Sequence, residues 1–512
     1  MSGERGGPPP RGVALGDSRQ SSAHADVPPS PTPRGSVMTE PFTLGVASGD
    51  PFHDSVVLWT RLAPDPLAED GLGGMPDRTV EVEWQVAHDE HFSDVVASGT
   101  AETGPDDAHS VHVEPGGLRP SADYFYRFRW DGEISPVGRT RTAPEPGSRP
   151  DRFTFAIASC QSYTNGHYTA QAHLAEEDLD LVAFLGDYIY ETEDQGEIGR
   201  GHFPEVEVRS LAEYRLRHAQ YKTDTDLQAA HAAFPWAVVF DDHELENNWA
   251  DDTSYEEDIP RERFLRRRAR ALKAYYEHMP LRRPQRPNGP DLHLYRTLSY
   301  GTLVDLHMLD TRQYRDPQVE DDERDDPERT LLGAEQRRWL SSRLSGSRAV
   351  WNVLAQQVFF SQRDFADGPP HEFSDDAWDN YRVERDAVRD ELAGVGSPVV
   401  LTGDVHANYV VDVKADFDDP DSETVATELV GTSFTSGQDG SEQDPTDEVQ
   451  LRGNPHIRFL NRRRGYVRNT LTPEQWTADF RVVDRVSEPG APIRDRATFV
   501  IDAGEPGARP RD

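Results

Sequence analysis

Beyond residue 150, five apolar runs each stop abruptly at residues that bind cations or move protons. Phe153 to Ala158 leads into Ser159-Cys160-Gln161, Leu181 to Leu185 into Gly186-Asp187-Tyr188-Ile189-Tyr190-Glu191, and Trp236 to Phe240 into Asp241-Asp242-His243-Glu244. Leu303 to Leu309 leads into Asp310-Thr311-Arg312-Gln313-Tyr314-Arg315, and Val399 to Leu401 into Thr402-Gly403-Asp404-Val405-His406. Short apolar runs bounded by turn residues read as buried strands, and helix-length segments at Tyr168 to Asp178, Arg261 to Glu277 and Ala334 to Leu344 separate several of them. This alternation predicts an α/β layered fold. Ligands of open α/β sheets sit at the carboxyl ends of the strands, so the five segments are expected to meet in one crevice. Gly186 and Gly403 each precede an Asp and allow the sharp turn that lifts a carboxylate over the sheet edge.

Taken singly, each of these residues has an ordinary structural explanation. A lone buried cysteine packs as a small hydrophobe, a strand-terminal Asp caps a helix or forms a turn, and a single His is a satisfied core or surface group. What converges at five strand ends, however, is Cys, Asp, Tyr, His and further carboxylates, which together make the inventory of a metal site.

The region before residue 150 is patterned differently. Val80, Val82, Trp84 and Val86 alternate with Glu81, Glu83 and Gln85, while Tyr124, Tyr126, Phe128 and Trp130 share one parity. No helical period appears before residue 140, which predicts a small all-β sandwich over 42–143. A proline-rich linker over 144–150 separates it from a second, α/β domain over 151–500. The Gly-, Pro- and Ser-rich first 41 residues and the last 12 (501–512) are read as tails. Two Asp-rich stretches, Lys414 to Glu423 and Gly437 to Glu448, read as solvated loops.

Charge and composition exclude several function classes. With 92 Asp+Glu against 54 Lys+Arg the formal charge is -38, so a basic nucleic-acid-binding surface is excluded. Only Lys222, Lys273 and Lys414 are lysines; an acidic, lysine-poor chain suits a protein working in molar salt, where screening removes self-repulsion. Cys160 is the single cysteine, so no intrachain disulfide forms. No apolar run approaches the ~18 residues of a membrane span.

The motifs resemble those of the alkaline phosphatase D family of the calcineurin-like metallophosphoesterases. The resemblance is carried by Gly45-Val46-Ala47-Ser48-Gly49-Asp50-Pro51, Leu58-Trp59-Thr60-Arg61, the five strand-end segments above, Asn247-Asn248-Trp249, Asn454-Pro455-His456 and Arg464-Gly465-Tyr466. It implies a fibronectin III-like N-terminal sandwich followed by a four-layer metallophosphoesterase sandwich that hydrolyses phosphate mono- or diesters with Fe(III) and Ca²⁺. By the same resemblance Cys160, Asp187, Tyr190 and His406 look like the iron shell, with Asp187 bridging to a second metal shared with Asp242 and Asp404. Asn248 is expected beside that metal, His243 at the phosphate or leaving oxygen, and Arg312 as a phosphate contact or a structural ion pair. Thiolate and phenolate suit Fe(III), and hard carboxylates in place of Asn and His favour Ca²⁺. Family members are usually exported behind a twin-arginine signal; none is visible here, which leaves localisation open. A monomer is expected. The alternatives are a phospholipase D-like diesterase acting on lipid headgroups and a catalytically inert, Ca²⁺-dependent surface binding protein.

Overall fold

The computed structural model describes residues 40–511 apart from 257, 321, 322 and 367; the expected N-terminal tail lies outside the described residues except for its last two positions. Among the described residues, eight strands precede residue 150: β1 (Val46–Gly49), β2 (Val57–Arg61), β3 (Val80–Ala87), β4 (Val95–Thr103), β5 (Ser110–Val113), β6 (Asp123–Trp130), β7 (Glu133–Ile134) and β8 (Gly138–Arg141). Strands β3, β4, β6, β7 and β8 form one sheet whose inward residues Val82, Val86, Tyr124, Tyr126 and Phe128 pack on Val46, Leu58, Val111 and Val113 of β1, β2 and β5. The alternation read from β3 and β6 thus marks a two-sided β layer.

The second sheet of that sandwich is not separate from the rest of the protein. After β9 (Phe153–Ala158), α1 (Thr169–Ala175) and β10 (Leu181–Leu185) come α2 (Leu211–Lys222), α3 (Thr225–Ala233) and β11 (Pro235–Val239). Strand β1 pairs parallel with β11, Ser48 opposite Pro235 and Gly49 opposite Trp236, so β1, β2 and β5 extend the same ten-stranded sheet as β9 to β11. A Cβ on Gly49 would lie 2.4 Å from the Pro280 carbonyl oxygen and 2.7 Å from that of Trp236, so only glycine lets the two regions close.

Helix α2 opens with a reciprocal capping box: Ser210 Oγ accepts from Glu213 N at 3.2 Å, and the Glu213 carboxylate accepts from Ser210 N at 2.7 Å. Such a cap stabilises a helix by about 1 kcal/mol. Asp224 caps α3 from one side only, its carboxylate accepting from the N–H groups of Asp226 and Leu227.

Next follow α4 (Arg261–His278), β12 (Arg296–Tyr300), β13 (Val304–Met308), α5 (Gly333–Gly346), β14 (Trp351–Gln356), α6 (Arg382–Leu392) and β15 (Pro398–Thr402). The chain closes with β16 (Asn408–Lys414), β17 (Thr424–Val430), α7 (Asp447–Gly453), β18 (Ile457–Asn461), β19 (Gly465–Leu471), β20 (Gln475–Val483), β21 (Ile493–Asp502) and β22 (Glu505–Pro510). Strands β12 to β18 form a seven-stranded mixed sheet, whereas β19 to β22 return to the first sheet, β19 pairing antiparallel with β9. One core joins the facing sides of the two sheets, with Val182, Phe184 and Val467 packed with Leu306, Val353 and Leu429. Helices α5 and α6 cover the other face of the second sheet through Leu340, Leu344, Val388 and Leu392.

Two expectations are corrected here. The strand ends do not belong to one open sheet: β9, β10 and β11 lie in the first sheet, β13 and β15 in the second. Nor are residues 501–512 a tail, since Ile501 and Asp502 finish β21 and residues 505–510 form β22. A Gly-, Pro- and Arg-rich edge strand lacks the apolar alternation that betrays a strand.

Candidate metal centre

The carboxyl ends of β9, β10, β11 and β15 do meet. Donor atoms of Cys160, Asp187 and His406 lie within 4.8 Å of one another; so do those of Asp187, Asp242 and His243, and those of Asp187, Asp241, Asp242 and Asp404. Asp187 belongs to all three groups. The turns that present these residues are unusual: Cys160 (φ 57°), Asp187 (57°), Asn248 (53°), Asp404 (56°) and His406 (56°) all sit in the left-handed region. Each such residue costs of order 1 kcal/mol, and strain of this kind gathers where the surrounding structure must aim a side chain. Gly186 (φ 104°) is required as well, because a Cβ there would stand 2.5 Å from Asp241 Cβ.

Buried hydrogen bonds tie the turns together. One carboxylate, Glu244, accepts the N–H groups of Asp187 at 3.1 Å, Tyr188 at 2.7 Å and Asp241 at 2.9 Å, so the β10 and β11 turns move as a unit. Cys160 N donates to Gly186 O at 3.0 Å, and Gln161 N to Asp187 O at 3.1 Å. The Tyr190 hydroxyl donates to Asp187 Oδ2 at 2.9 Å, lies 3.3 Å from His406 Nε2 and accepts from Ser436 Oγ at 2.6 Å. Arg464 donates to His406 O at 2.6 Å and to three other oxygens, pinning the last turn.

His243 is held from two sides. Its Nδ1 lies 2.7 Å from Glu191 Oε2, and its ring lies 4.3 Å, centroid to centroid, from that of Tyr190. The other Glu191 oxygen accepts from Asn247 N at 2.9 Å. With Nδ1 committed, Nε2 is the ring atom without a partner among the described residues.

Arg312 and Asn248 take places of their own. The Arg312 guanidinium is fully buried and spends its donors on carboxylates: Nε on Asp241 Oδ1 at 2.5 Å, Nη1 and Nη2 on Asp376 at 2.7 Å each. The ion-pair alternative is therefore what the geometry displays, with three of the five guanidinium N–H groups committed to carboxylates. Asn248 meets the centre through its backbone: its N–H donates to Asp242 Oδ2 at 2.8 Å, and its carbonyl accepts from Gln318 Nε2 at 2.9 Å.

The electrostatics call for cations. Burial, then neighbouring carboxylates, pushes Asp404 up to about 6 and Glu244, by burial, up to about 7. Burial raises Asp187 and Asp241 well above the carboxylate range, and burial followed by Asp187 does the same for the Cys160 thiol and the Tyr190 phenol. Burial also tends to raise Asp242, but Arg312, His243 and the Asn248 N–H outweigh it and hold that carboxyl low. Buried Asp187 Oδ1 and Asp241 Oδ2 have no hydrogen-bond partner among the described residues. A thiol, a phenol, an imidazole and several carboxylates, held mostly un-ionised by burial and able to ligate once deprotonated, form a donor set that fits metal ions.

Asp241, Glu191, Glu244, Ser436 and Asp376 were not assigned roles from sequence. Asp241 and Glu244 stood next to assigned residues and Glu191 ended a quoted motif, but Ser436 and Asp376 lie in loops with no local signal.

An α/β enzyme with an ionisable, cation-demanding centre at converging strand ends is the class that fold and site define. A family model described as PhoD-like phosphatase matches residues 155–480, and one described as PhoD-like phosphatase, N-terminal domain matches residues 28–144. Alkaline phosphatase D of Bacillus subtilis (strain 168) is 51% identical over 483 residues, covering 92% of this chain and 82% of that protein. A solved structure described as "Structure of PhoD" matches with a TM-score of 0.90 and 50% identity over 94% of each chain. The chain belongs to the PhoD-like phosphatase family and is a phosphoric ester hydrolase. Among the described residues, no helix is long and apolar enough to cross a membrane.

Proposed function

We propose that the protein is a phosphatase and phosphodiesterase that cleaves phosphate esters at an Fe(III)/Ca²⁺ centre. The observation that carries this reading is the meeting of donor atoms of Cys160, Asp187, Asp241, Asp242, His243, Asp404 and His406 in overlapping groups, with Asp187 common to all. In this reading Cys160, Asp187, Tyr190 and His406 hold Fe(III), and Asp187, Asp242 and Asp404 hold Ca²⁺. Asp241 is a further carboxylate for the second ion, and Asn248 serves it through its backbone. When bound, the two ions supply Lewis acidity toward the phosphate oxygens and make water acidic enough to act as a nucleophile near neutral pH.

This chain's own residues do the rest. His243, with Nδ1 committed to Glu191 and kept protonated by Glu191, Asp242 and Asp187 against the effect of burial, presents Nε2–H as the general acid for the departing alkoxide. Arg312 neutralises Asp241 and Asp376 and keeps the carboxylate wall in place. We further read 42–143 as a fibronectin III-like sandwich, 151–500 as a four-layer metallophosphoesterase domain, the protein as a monomer and the acid-rich, lysine-poor surface as an adaptation to high salt.

Metal analysis of chelator-free protein, with its visible spectrum, tests the centre before any substrate is chosen. Iron with a thiolate and a phenolate ligand should colour the protein, Cys160→Ser should shift the band, and Tyr190→Phe should remove most of what remains. A colourless protein with full iron and full aryl phosphatase activity would overturn the ligand assignment. The ratio of bis-ester to monoester hydrolysis on one chromophore then sets the substrate preference.

A further inference from the structure

The turn that carries Asp187 and Tyr190 into the carboxylate cluster carries Tyr188 elsewhere, onto α2 and α3. The Tyr188 hydroxyl lies 2.8 Å from His231 Nε2, and its ring is 6.3 Å from that of His218 and 5.8 Å from that of His231, centroid to centroid. Lys222 ends in the same place, its Nζ 5.2 Å from the Tyr188 ring centroid and 4.4 Å from that of Trp59. His218 and Lys222 stand four residues apart on α2 and so share a helix face. Lys222, His218 and His231 are 1%, 0% and 2% exposed.

What surrounds this ammonium is aromatic, imidazole or cationic. His218 stacks on His278 at 5.0 Å, and His278 Nε2 meets Arg61 Nη1 at 2.7 Å. No carboxylate offsets Lys222: burial is the one influence on it and pulls it down to about 7. After burial, Lys222 is the foremost group depressing both His218 and His231, which places its charge beside them.

The donors outnumber the acceptors. With the Gln161 side-chain amide donating to the Tyr188 hydroxyl, the hydroxyl hydrogen is left for His231 Nε2, and the His231 proton rests on Nδ1. That Nδ1, and both ring nitrogens of His218, are buried without a partner. Against the ammonium hydrogens, His231 Nδ1–H and the His218 N–H, the group offers one acceptor, the second His218 nitrogen. An unpaired buried charge is strongly destabilising, as is each unmet buried donor.

We propose that Lys222, His218 and His231 form a binding site for a small monovalent inorganic anion, chloride. A halide accepts hydrogen bonds from any direction, which suits donors arriving from two helices, and it loses its water more readily than a polyvalent anion would in so enclosed a place. The acidic, lysine-poor composition suits a salt-rich medium in which chloride is abundant. The bound anion holds the charge on Lys222 and, through His231, the ring of Tyr188, next in sequence to Asp187.

Crystals of the wild-type protein grown in bromide should show an anomalous peak beside Lys222 Nζ and His218. At fixed ionic strength, replacing chloride with gluconate should lower the melting temperature saturably, and Lys222→Met should abolish that chloride-specific part while keeping the response to ionic strength. No bromide peak, or the same chloride response in wild type and Lys222→Met, would overturn the site. Should Lys222→Met fail to fold, the bromide experiment decides on the wild-type protein alone.

Discussion

Two buried clusters flank one short turn and pose the same electrostatic problem with opposite signs. Asp187 and Tyr190 face a group dominated by Asp241, Asp242 and Asp404, whereas Tyr188, between them, faces Lys222, His218 and His231. In the first, burial raises Asp187 and Asp241 even though His243 and Arg312 stand beside them; in the second, burial lowers Lys222, His218 and His231 with no anion to offset it. The lesson is that burial alone does not make a catalytic centre. The carboxylate cluster opens beside His243, whose side chain is 17% exposed and can meet a substrate, while the cationic cluster is sealed and can only take a small ion.

The comparison breaks most visibly at its shared residue. Asp187→Ala and His406→Ala should each abolish aryl phosphate hydrolysis while far-ultraviolet circular dichroism stays native. Retention of more than about a tenth of the activity, a loss below ~1.4 kcal/mol, would remove the centre from Asp187. Calcium chelation should inactivate as completely, and activity surviving exhaustive EGTA dialysis would point to a different second ion.

Glu191→Gln should act more mildly, lowering kcat by about 10- to 100-fold on esters with poor leaving groups. An activated aryl ester, which needs little protonation of its leaving oxygen, should be much less affected, and the alkaline limb of the kcat profile should move to lower pH. Equal losses on both esters would make Glu191 merely structural.

A pH experiment separates the two clusters by sign. Lys222 falls from an ordinary 10.5 to about 7 on folding, so between those values the unfolded chain binds more protons than the folded one. Without a bound anion, stability should therefore rise as pH climbs through that window, by up to about 1.4 kcal/mol per unit. Chloride, by keeping the ammonium charged, should flatten the slope. The facing groups do not reverse it: His218, His231 and His278 are depressed below the window by burial, Tyr188 is raised above it, and Arg61, lowered to about 10, enters only at its top. Denaturant titrations at several pH values in chloride and in gluconate measure this, and a slope that ignores the anion would contradict the pairing.

The smallest effect belongs to the surface. Of the three lysines, Lys222 and Lys414 are buried and only Lys273 reaches solvent appreciably, so the -38 charge is carried by a surface almost without ammonium groups. Molar KCl, which shortens the reach of repulsion to ~3 Å, should raise the melting temperature even of Lys222→Met. A flat or falling dependence would leave codon bias as the better account of the composition.

Local chemistry made much of this protein legible in its sequence. The runs at 153–158 and 181–185 coincide with β9 and β10, and α4 begins at the expected Arg261 and ends one residue past the expected Glu277. The strand-end residues could be named because an apolar run, a turn glycine and a ligand-type side chain adjoin in the chain. Tertiary structure alone decided that the strand ends belong to two sheets sharing a core, that Asp376 reaches Arg312 across 64 residues, and that β1 closes on β11 through Gly49. It also decided the fate of His218 and Lys222, which on α2 alone read as an ordinary polar face. Only packing against Trp59, Tyr188 and His278 buries them, because the cost of removing a charge from water depends on what surrounds it in space, which residue order near that charge does not record.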